Sequence, residues 1–359
     1  YGDHRDLHLS IRRQRQMCIR DRINERPDAL WFMTDPRFYG WLWSIENEIR
    51  PHIPMVYYHV WDNYPYPHFN KPSYDSTDVI VSISQVTYDI VNTVAPEVES
   101  HYLPHAVDTN IFAPLPAEEI KRLKQQQFPD DDRITFFWNN RNARRKLSGS
   151  LIYWFNEFAE QVGPDKVRLI MHTDPKDPHG QDLEQIISSL DADDGRILIS
   201  KDKVPPQTLS IYYNISDCTL NISDAEGFGL ATLESLACQT PIIVTMTGGL
   251  QEQVTDGDDF FGIGIEPASK AVIGSQGVPF IYEDRISKED FISALNEVYN
   301  MAPDQRKLLG MKGRNHVMEN YNFEKFNKRW VDLMDSVCER YGSWENRKNY
   351  QSWNFKEIK

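Results

Sequence analysis

The sequence predicts an α/β protein made of two doubly wound parallel-sheet domains, the first of them incomplete. Three observations lead there. At 359 residues the chain is too long for one ordinary core and suits two domains of common size. Short apolar runs of strand length alternate with helical stretches, the pattern of parallel sheets covered on both faces. A polar, proline-flanked stretch over 114–132 divides that alternation into two series.

Residues 1–22 stand apart from both series. They start at Tyr1 without a Met and end in the arginine-rich SIRRQRQMCIRDR, which lacks an apolar h-region and contains acids. We read them as a non-native or disordered leader with no assigned function. The first domain is expected over 23–113, with strands at 29–34, 54–59 and 78–83 and a short one ending at Leu103. Helices are expected at 37–49 and 86–94, and a loop rich in Pro, Tyr and Asn at 60–76. Segment 114–132 is expected to be a linker containing a helix.

The second domain is expected over 133–330. Its strands fall at 133–138, 167–172, 196–200, 218–222 and 241–245, with helices at 149–160, 182–190, 208–213 and 230–238. Amphipathic helices follow at 288–299, 304–320 and 323–340. Residues 331–359 form a C-terminal helix and tail expected to return toward the first domain.

Composition limits the partners. A formal net charge of −14 and a pI near 5.2 argue against a surface built for DNA or RNA. No apolar run approaches the roughly 20 residues needed to span a bilayer, which leaves only peripheral membrane contact open. Cys18, Cys218, Cys238 and Cys338 form no CxxC pair and no His/Cys cluster, so neither a zinc site nor a disulfide framework is expected, and a reducing cytoplasm is the simpler compartment. The sequons at Asn214 and Asn221 flank a buried strand and read as chance matches.

The most informative stretch is DAEGFGLATLESLACQTPIIVTMTGGLQE, residues 224–252. A strand ends before it, glycines form a tight turn, and a helix starts at about Phe228 or Gly229. Free backbone N–H groups and a positive helix end then face the carboxyl edge of a parallel sheet, where an anion is favoured. Gly227 and Gly229 let the backbone approach a ligand closely. Glu226 precedes the helix and Glu234 lies along it; carboxylates accept pairs of sugar hydroxyls. Alone, such a pair would be a helix cap and a surface ion pair; the strand–turn–helix context favours a site. In NNRNARRKL, Arg141 and Lys146 lie five apart in another strand-to-helix loop, and such loops share one crevice. They are placed to neutralise a diphosphate, and the adjacent Arg144 and Arg145 are chemically able to substitute for either.

EGFGLATLESLACQTP followed by TGGLQE resembles the signature of retaining GT-B glycosyltransferases of family 4, the glycogen-synthase-like group. Arg141 and Lys146 have that family's R-x4-K spacing. HYLPHAVDTNIF is similar to its hinge-preceding segment, with Ala106 where a glycine is usual, and QRKLLGMKGRNHVMENYNFEKF resembles its C-terminal helices. The resemblance implies two Rossmann-like domains facing across a cleft and closing over a nucleotide diphosphate sugar. It implies that Glu226 contacts the transferred sugar and that the backbone of Gly227, Phe228, Gly229 and Leu230 supports sugar and phosphate. Glu234 would bind ribose hydroxyls, and Arg141 and Lys146 the diphosphate. His59, closing the strand at 54–59, occupies the place where the family often puts a histidine near the reacting sugar; a lone strand-end His is more often structural. The implied reaction moves a hexosyl group to an acceptor hydroxyl with retention.

No cofactor and no metal is expected. The DxD matches at Asp191–Asp193 and Asp256–Asp258 read as turns. The acceptor is expected to be a glycan, a lipid or a small molecule. The family's N-terminal glycine-rich loop has no counterpart upstream of the hinge, where only Gly2 and Gly40 occur. A truncated first domain accounts for that, and such a chain would be impaired in turnover. The rival readings are a nucleotide-sugar-binding GT-B protein without activity and an epimerase or phosphorylase on the same scaffold. A Rossmann dehydrogenase would need a G-x-G-x-x-G that is missing.

Overall fold

The apolar runs of the first series pair side by side as one parallel sheet: β1 (Leu30–Thr34), β2 (Met55–His59), β3 (Val79–Ser82) and β4 (Glu99–Tyr102), in that order. Strands β2 and β3 are buried at every position, as central strands of a doubly covered sheet must be. The computed structural model describes residues 25–351, so the leader expected at 1–22, Cys18 and residues 352–359 of the expected C-terminal tail lie outside the described residues.

Alternate side chains of β1 and β2 reach opposite faces. On one face Trp43, from the connection between the two strands, packs edge-on against Phe32 and Tyr57 at 5.6 and 5.1 Å. The helix expected at 37–49 is accordingly broken into Gly40–Trp43 and Glu46–Ile49, because burying Trp43 and bonding its indole N–H to Thr77 outweighs a continuous helix that Gly40 already weakens. On the other face Trp330 of helix Phe323–Tyr341 lies edge-on to Tyr58 and Trp31, at 5.0 and 5.8 Å. A sheet whose order never reverses carries its crossovers on one face, and this helix covers the other.

The chain divides into two units. Among the described residues, one comprises those up to Pro104 with Gly274–Pro279 and those from Asn327 onward, the other His105–Ile273 with Phe280–Phe326. The segment expected as a linker belongs wholly to the second unit. There its helix Ala117–Gln127 places Lys124 3.2 Å from Asp217, and Leu115 N–H donates to the Asn214 amide oxygen. The C-terminal residues are fixed to the first unit by Asp78. Its buried carboxylate accepts from Arg50, from Arg347 at 2.8 Å and from the Met55 N–H.

The second unit holds β5 (Ile134–Asn139), β6 (Val167–His172), β7 (Ile197–Ser200), β8 (Cys218–Asn221), β9 (Ile242–Thr245) and β10 (Gly262–Ile265), ordered β7-β6-β5-β8-β9-β10 and parallel throughout. Phe136, Phe155 and Phe158 form a triangle of edge-to-face rings in its core. The order changes direction between β5 and β8, which makes their shared carboxyl edge a topological switch point. A separate two-stranded hairpin, β11 (Ser269–Ser275) and β12 (Val278–Arg285), was not expected from the sequence. Asn214 and Asn221 are buried, in keeping with chance sequons. Among the described residues no helix is long and apolar enough to cross a membrane.

Candidate functional site

The residues after β5 and after β8 emerge side by side at the switch point. After β5 the chain runs to a 3-10 turn, Arg144–Lys146, and enters helix Ser148–Val162 through Leu147 at φ +53°. After β8 it runs through Ser223, Asp224, Ala225 and Glu226 to helix Leu230–Ala237. The two loops are joined by the Asp224 N–H donating to the Arg145 carbonyl at 2.8 Å. Lys146 Nζ donates directly to Glu226 Oε2, and both side chains are buried. Arg145 donates to the Ala225 carbonyl and its guanidinium lies 3.7 Å from the same Glu226 oxygen. A lysine and an arginine thus converge on one carboxylate at the mouth of a parallel sheet.

Gly229 has φ +95°, and a Cβ there would come within 2.5 Å of Leu250 and 2.9 Å of Thr232 Oγ1, so the turn requires glycine. No side chain caps the helix that follows, which leaves its leading amides available to an anion. Gln253, fully buried, shapes the turn: its amide donates to the carbonyls of Phe228 and Gly229 and accepts from the Thr232 hydroxyl. A second glycine turn leans on the first. The Gly249 N–H donates to the Glu226 carbonyl at 3.0 Å, and a Cβ on Gly248, at φ +48°, would sit 1.9 Å from that oxygen. The TGG tripeptide therefore has a packing reason to follow EGFG in the sequence.

The other expected residues fall as follows. Gly227 is half-buried and Leu230 exposed at the helix start, while the Phe228 ring is buried between His105 and Tyr321, with centroids 5.3 and 5.7 Å away. Glu234 accepts from the Tyr213 hydroxyl at 2.7 Å, which in turn accepts from Asn139 at the end of β5. Burial pushes the Glu234 carboxyl up to about 7, against the downward pull of that hydrogen bond.

Two of the expected residues already hold other partners. Arg141 is not gathered with Lys146 at Glu226; its exposed guanidinium makes a two-point pair with Asp177, at 2.6 and 3.1 Å. The cation beside Lys146 is instead Arg145, and the signal for it was the run of three basic residues at 144–146. His59 presents no free nitrogen. Its Nδ1 and Nε2 each lie 2.7 Å from a tyrosine hydroxyl, of Tyr57 and Tyr74. Tyr57 spends its own proton on the Thr34 carbonyl, so Nδ1–H donates to Tyr57 and Nε2 accepts from Tyr74. Burial lowers this ring to about 3, which favours its neutral form between the two tyrosines.

The DxD matches are turns. Asp191 sits at φ +50° after helix Leu183–Ser189, and Asp256 Oδ1 accepts from the N–H groups of Asp258 and Asp259. Among the described residues no group of three or more His, Cys, Asp or Glu is arranged to hold a metal ion.

A family model described as Glycosyl transferases group 1 matches residues 120–300, half of the chain. The alpha-monoglucosyldiacylglycerol synthase of Streptococcus pneumoniae is 24% identical over 181 residues, which are 50% of this chain and 40% of that protein. The GDP-mannose-dependent alpha-(1-6)-phosphatidylinositol monomannoside mannosyltransferase of Mycolicibacterium smegmatis is 26% identical over 191 residues, 51% of this chain and 48% of that protein. The match thus spans about half the length of these relatives. Among solved structures, sucrose-phosphate synthase from Thermosynechococcus elongatus superposes with a TM-score of 0.74 at 17% identity, covering 94% of this chain and 81% of that one. HepE of Anabaena, solved with UDP and glucose, superposes with a TM-score of 0.70 at 14% identity, covering 93% and 83%. At such identities these structures speak for the fold, α/β with parallel sheets of the GT-B type. The chain belongs to the glycosyl transferases group 1 family.

Proposed function

We propose that the switch-point site of the second unit binds a nucleotide diphosphate sugar and that the protein transfers its hexosyl group to an acceptor hydroxyl with retention of configuration. One observation carries this reading: Lys146 and Arg145 meet Glu226 beside an uncapped helix start. Cations and amides suit a diphosphate, and the carboxylate suits the hydroxyls of the sugar attached to it. Lys146 and Arg145 stabilise the charge that collects on the diphosphate as its bond to the anomeric carbon breaks. The acceptor oxygen forms the new bond on the face the diphosphate leaves, and its proton passes to the departing phosphate oxygen. Arg141 joins them only by exchanging Asp177 for a phosphate oxygen. Glu234, held by Tyr213, accepts from the ribose hydroxyls. No metal enters this scheme.

Two relatives support the donor class by analogy: the mycolicibacterial protein is named GDP-mannose-dependent, and HepE is solved with UDP and glucose. The test is thermal stabilisation of the protein by UDP-, GDP- and ADP-sugars, followed by transfer assays with the stabilising donor. A donor at one hundred times its dissociation constant should contribute about 2.7 kcal/mol of stability. Stabilisation without transfer would leave a nucleotide-sugar-binding protein, and no stabilisation by any of the three would remove the donor reading.

A further inference from the structure

Strand β12 ends in Glu283, Asp284 and Arg285, and these three consecutive residues reach three different loops of the site. Glu283 is almost fully buried and accepts both guanidinium nitrogens of Arg144, at 2.7 and 2.5 Å, in the loop after β5. Asp284 accepts from the Thr247 hydroxyl at 2.7 Å in the loop after β9, and its N–H donates to the Asp224 carbonyl at 2.9 Å in the loop after β8. Arg285 lies 2.8 Å from the buried carboxylate of Asp224 and 3.0 Å from Glu283. Side chains two apart on a strand share a face, so Glu283 and Arg285 form one connected ion-pair chain, Arg144–Glu283–Arg285–Asp224, while Asp284 works from the other face. Asp224 and Arg144 are each two residues from a member of the Lys146–Glu226 pair, and Thr247 adjoins the glycine turn that supports Glu226.

We propose that the Glu283-Asp284-Arg285 end of the hairpin is a clamp that sets the three site loops in register, making Glu283 a positioning residue for diphosphate binding. The inference rests on the donor reading above. Its physical content is that Arg144 is spent on Glu283 so that the next two cations in the chain turn toward Glu226. The two-point Arg144–Glu283 pair restrains that loop in direction as well as distance. Without it, residues 140–147 would lose the tie that directs Arg145 and Lys146, and a displacement of about 1 Å at such a site is expected to cost on the order of a hundredfold in function. Asp284 fixes the other two loops by one hydrogen bond each. Arg285 supplies the positive charge that Asp224 needs where it is buried.

The test uses Glu283→Gln, Arg144→Gln and the double variant in the full chain, with two readouts. Hydrogen exchange of the amides at 140–147 and 224–228 reports the clamp without any ligand. Calorimetric affinity for UDP, GDP or ADP, whichever the wild type binds most tightly, reports its consequence. Each single variant should speed exchange in both segments and weaken nucleotide binding about tenfold or more, and the double should be no worse than the weaker single. Arg144 is largely exposed, so its variant folds even if the Glu283 variant does not. Unchanged exchange at 140–147 in Arg144→Gln would overturn the clamp, as would effects of the two substitutions that multiply. A wild-type protein that binds none of the three nucleotides would instead overturn the donor reading, and with it the purpose assigned to the clamp.

Discussion

His59 closes β2 in the first unit and Asn139 closes β5 in the second, each at the carboxyl edge of a parallel sheet. The chain beyond them behaves differently. After β2 it turns back over the sheet, and Tyr74 of helix Lys71–Asp75 lands on the imidazole and seals it. After β5 it meets the loop after β8 coming from the opposite direction, and Lys146 meets Glu226. The strand order accounts for the contrast. In β1-β2-β3-β4 each strand's successor lies on the same side, whereas between β5 and β8 the two halves of the sheet diverge and leave a crevice. A polar strand-end residue is therefore a site candidate where the order reverses and a packing residue where it does not.

The largest effect that tests this contrast is expected at the switch point. Lys146→Met and Glu226→Gln should each lower transfer by about a hundred- to a thousandfold, the usual cost of removing one preorganised charge-stabilising group. Both keep the side-chain volume; in Lys146→Met, Arg145 remains 3.7 Å from Glu226 to offset its charge, and in Glu226→Gln the amide oxygen can still accept from Lys146, so the fold should persist. A turnover within tenfold of wild type in both variants would place the chemistry elsewhere. Next in size is Gly248→Ala, whose Cβ would overlap the Glu226 carbonyl in a left-handed backbone. Strain and overpacking together should cost about 3 kcal/mol in denaturant unfolding. A loss below about 1 kcal/mol would mean that the two glycine turns do not support each other.

The opposite outcome is expected in the first unit. His59→Leu removes the acceptor of the Tyr74 hydroxyl and the donor to Tyr57, leaving buried polar groups that cost about 1–3 kcal/mol. Transfer per folded molecule should be unchanged, since both ring nitrogens are already engaged. If kcat fell with stability intact, the imidazole would have to leave its tyrosines during turnover, and the contrast between the two strand ends would collapse.

Much of this was legible in the sequence because the second series obeys local rules. Its strands are continuous apolar runs, its glycine turn carries EGFG, and its basic loop follows the first strand of the domain. What was not legible depends on geometry that only the folded chain supplies. Choosing Arg145 over Arg141 required knowing that Asp177 faces one and not the other. Strand β10, GIGI, is half glycine, and β11 (SKAVIGS) and β12 (VPFIYEDR) follow no two-residue alternation and are buried only at Val278 and Glu283, so none of the three stood out from loop. The helix expected at 37–49 failed because three aromatic residues, Phe32, Trp43 and Tyr57, pack together at the expense of helical periodicity. The boundary expected over 114–132 rested on composition, which does not reveal that Lys124 and Leu115 are bound to the second unit.

The smallest predicted effect separates the units by the sign of their response to acid. In the first unit Glu99 is pushed up by burial but held down more strongly by hydrogen bonds from His101, Arg340 and Tyr341, and its carboxyl falls to about 2 from an ordinary 4.5. Its folded value is depressed, so it contributes stability above the ordinary value that is lost as pH falls from about 4.5 toward 2. In the second unit burial raises Asp224 to about 7 from 3.8, against Arg285, and raises Glu234 to about 7 from 4.5. These folded values are elevated, so both carboxylates oppose folding at neutral pH, and the opposition fades as pH drops below about 7. Hydrogen exchange corrected for its intrinsic pH dependence should therefore show the amides around 224–237 gaining protection between pH 7.5 and 5 on the order of one pKa unit's worth, about 1.4 kcal/mol. Those of β4 should stay flat in that window and lose protection only below the ordinary carboxylate range. Glu234→Gln should remove part of the gain in the second unit and leave β4 untouched. A parallel response of the two regions would show that these carboxyls do not carry the pH dependence, and that the charge burial distinguishing the switch-point edge from the sealed one is not felt in solution.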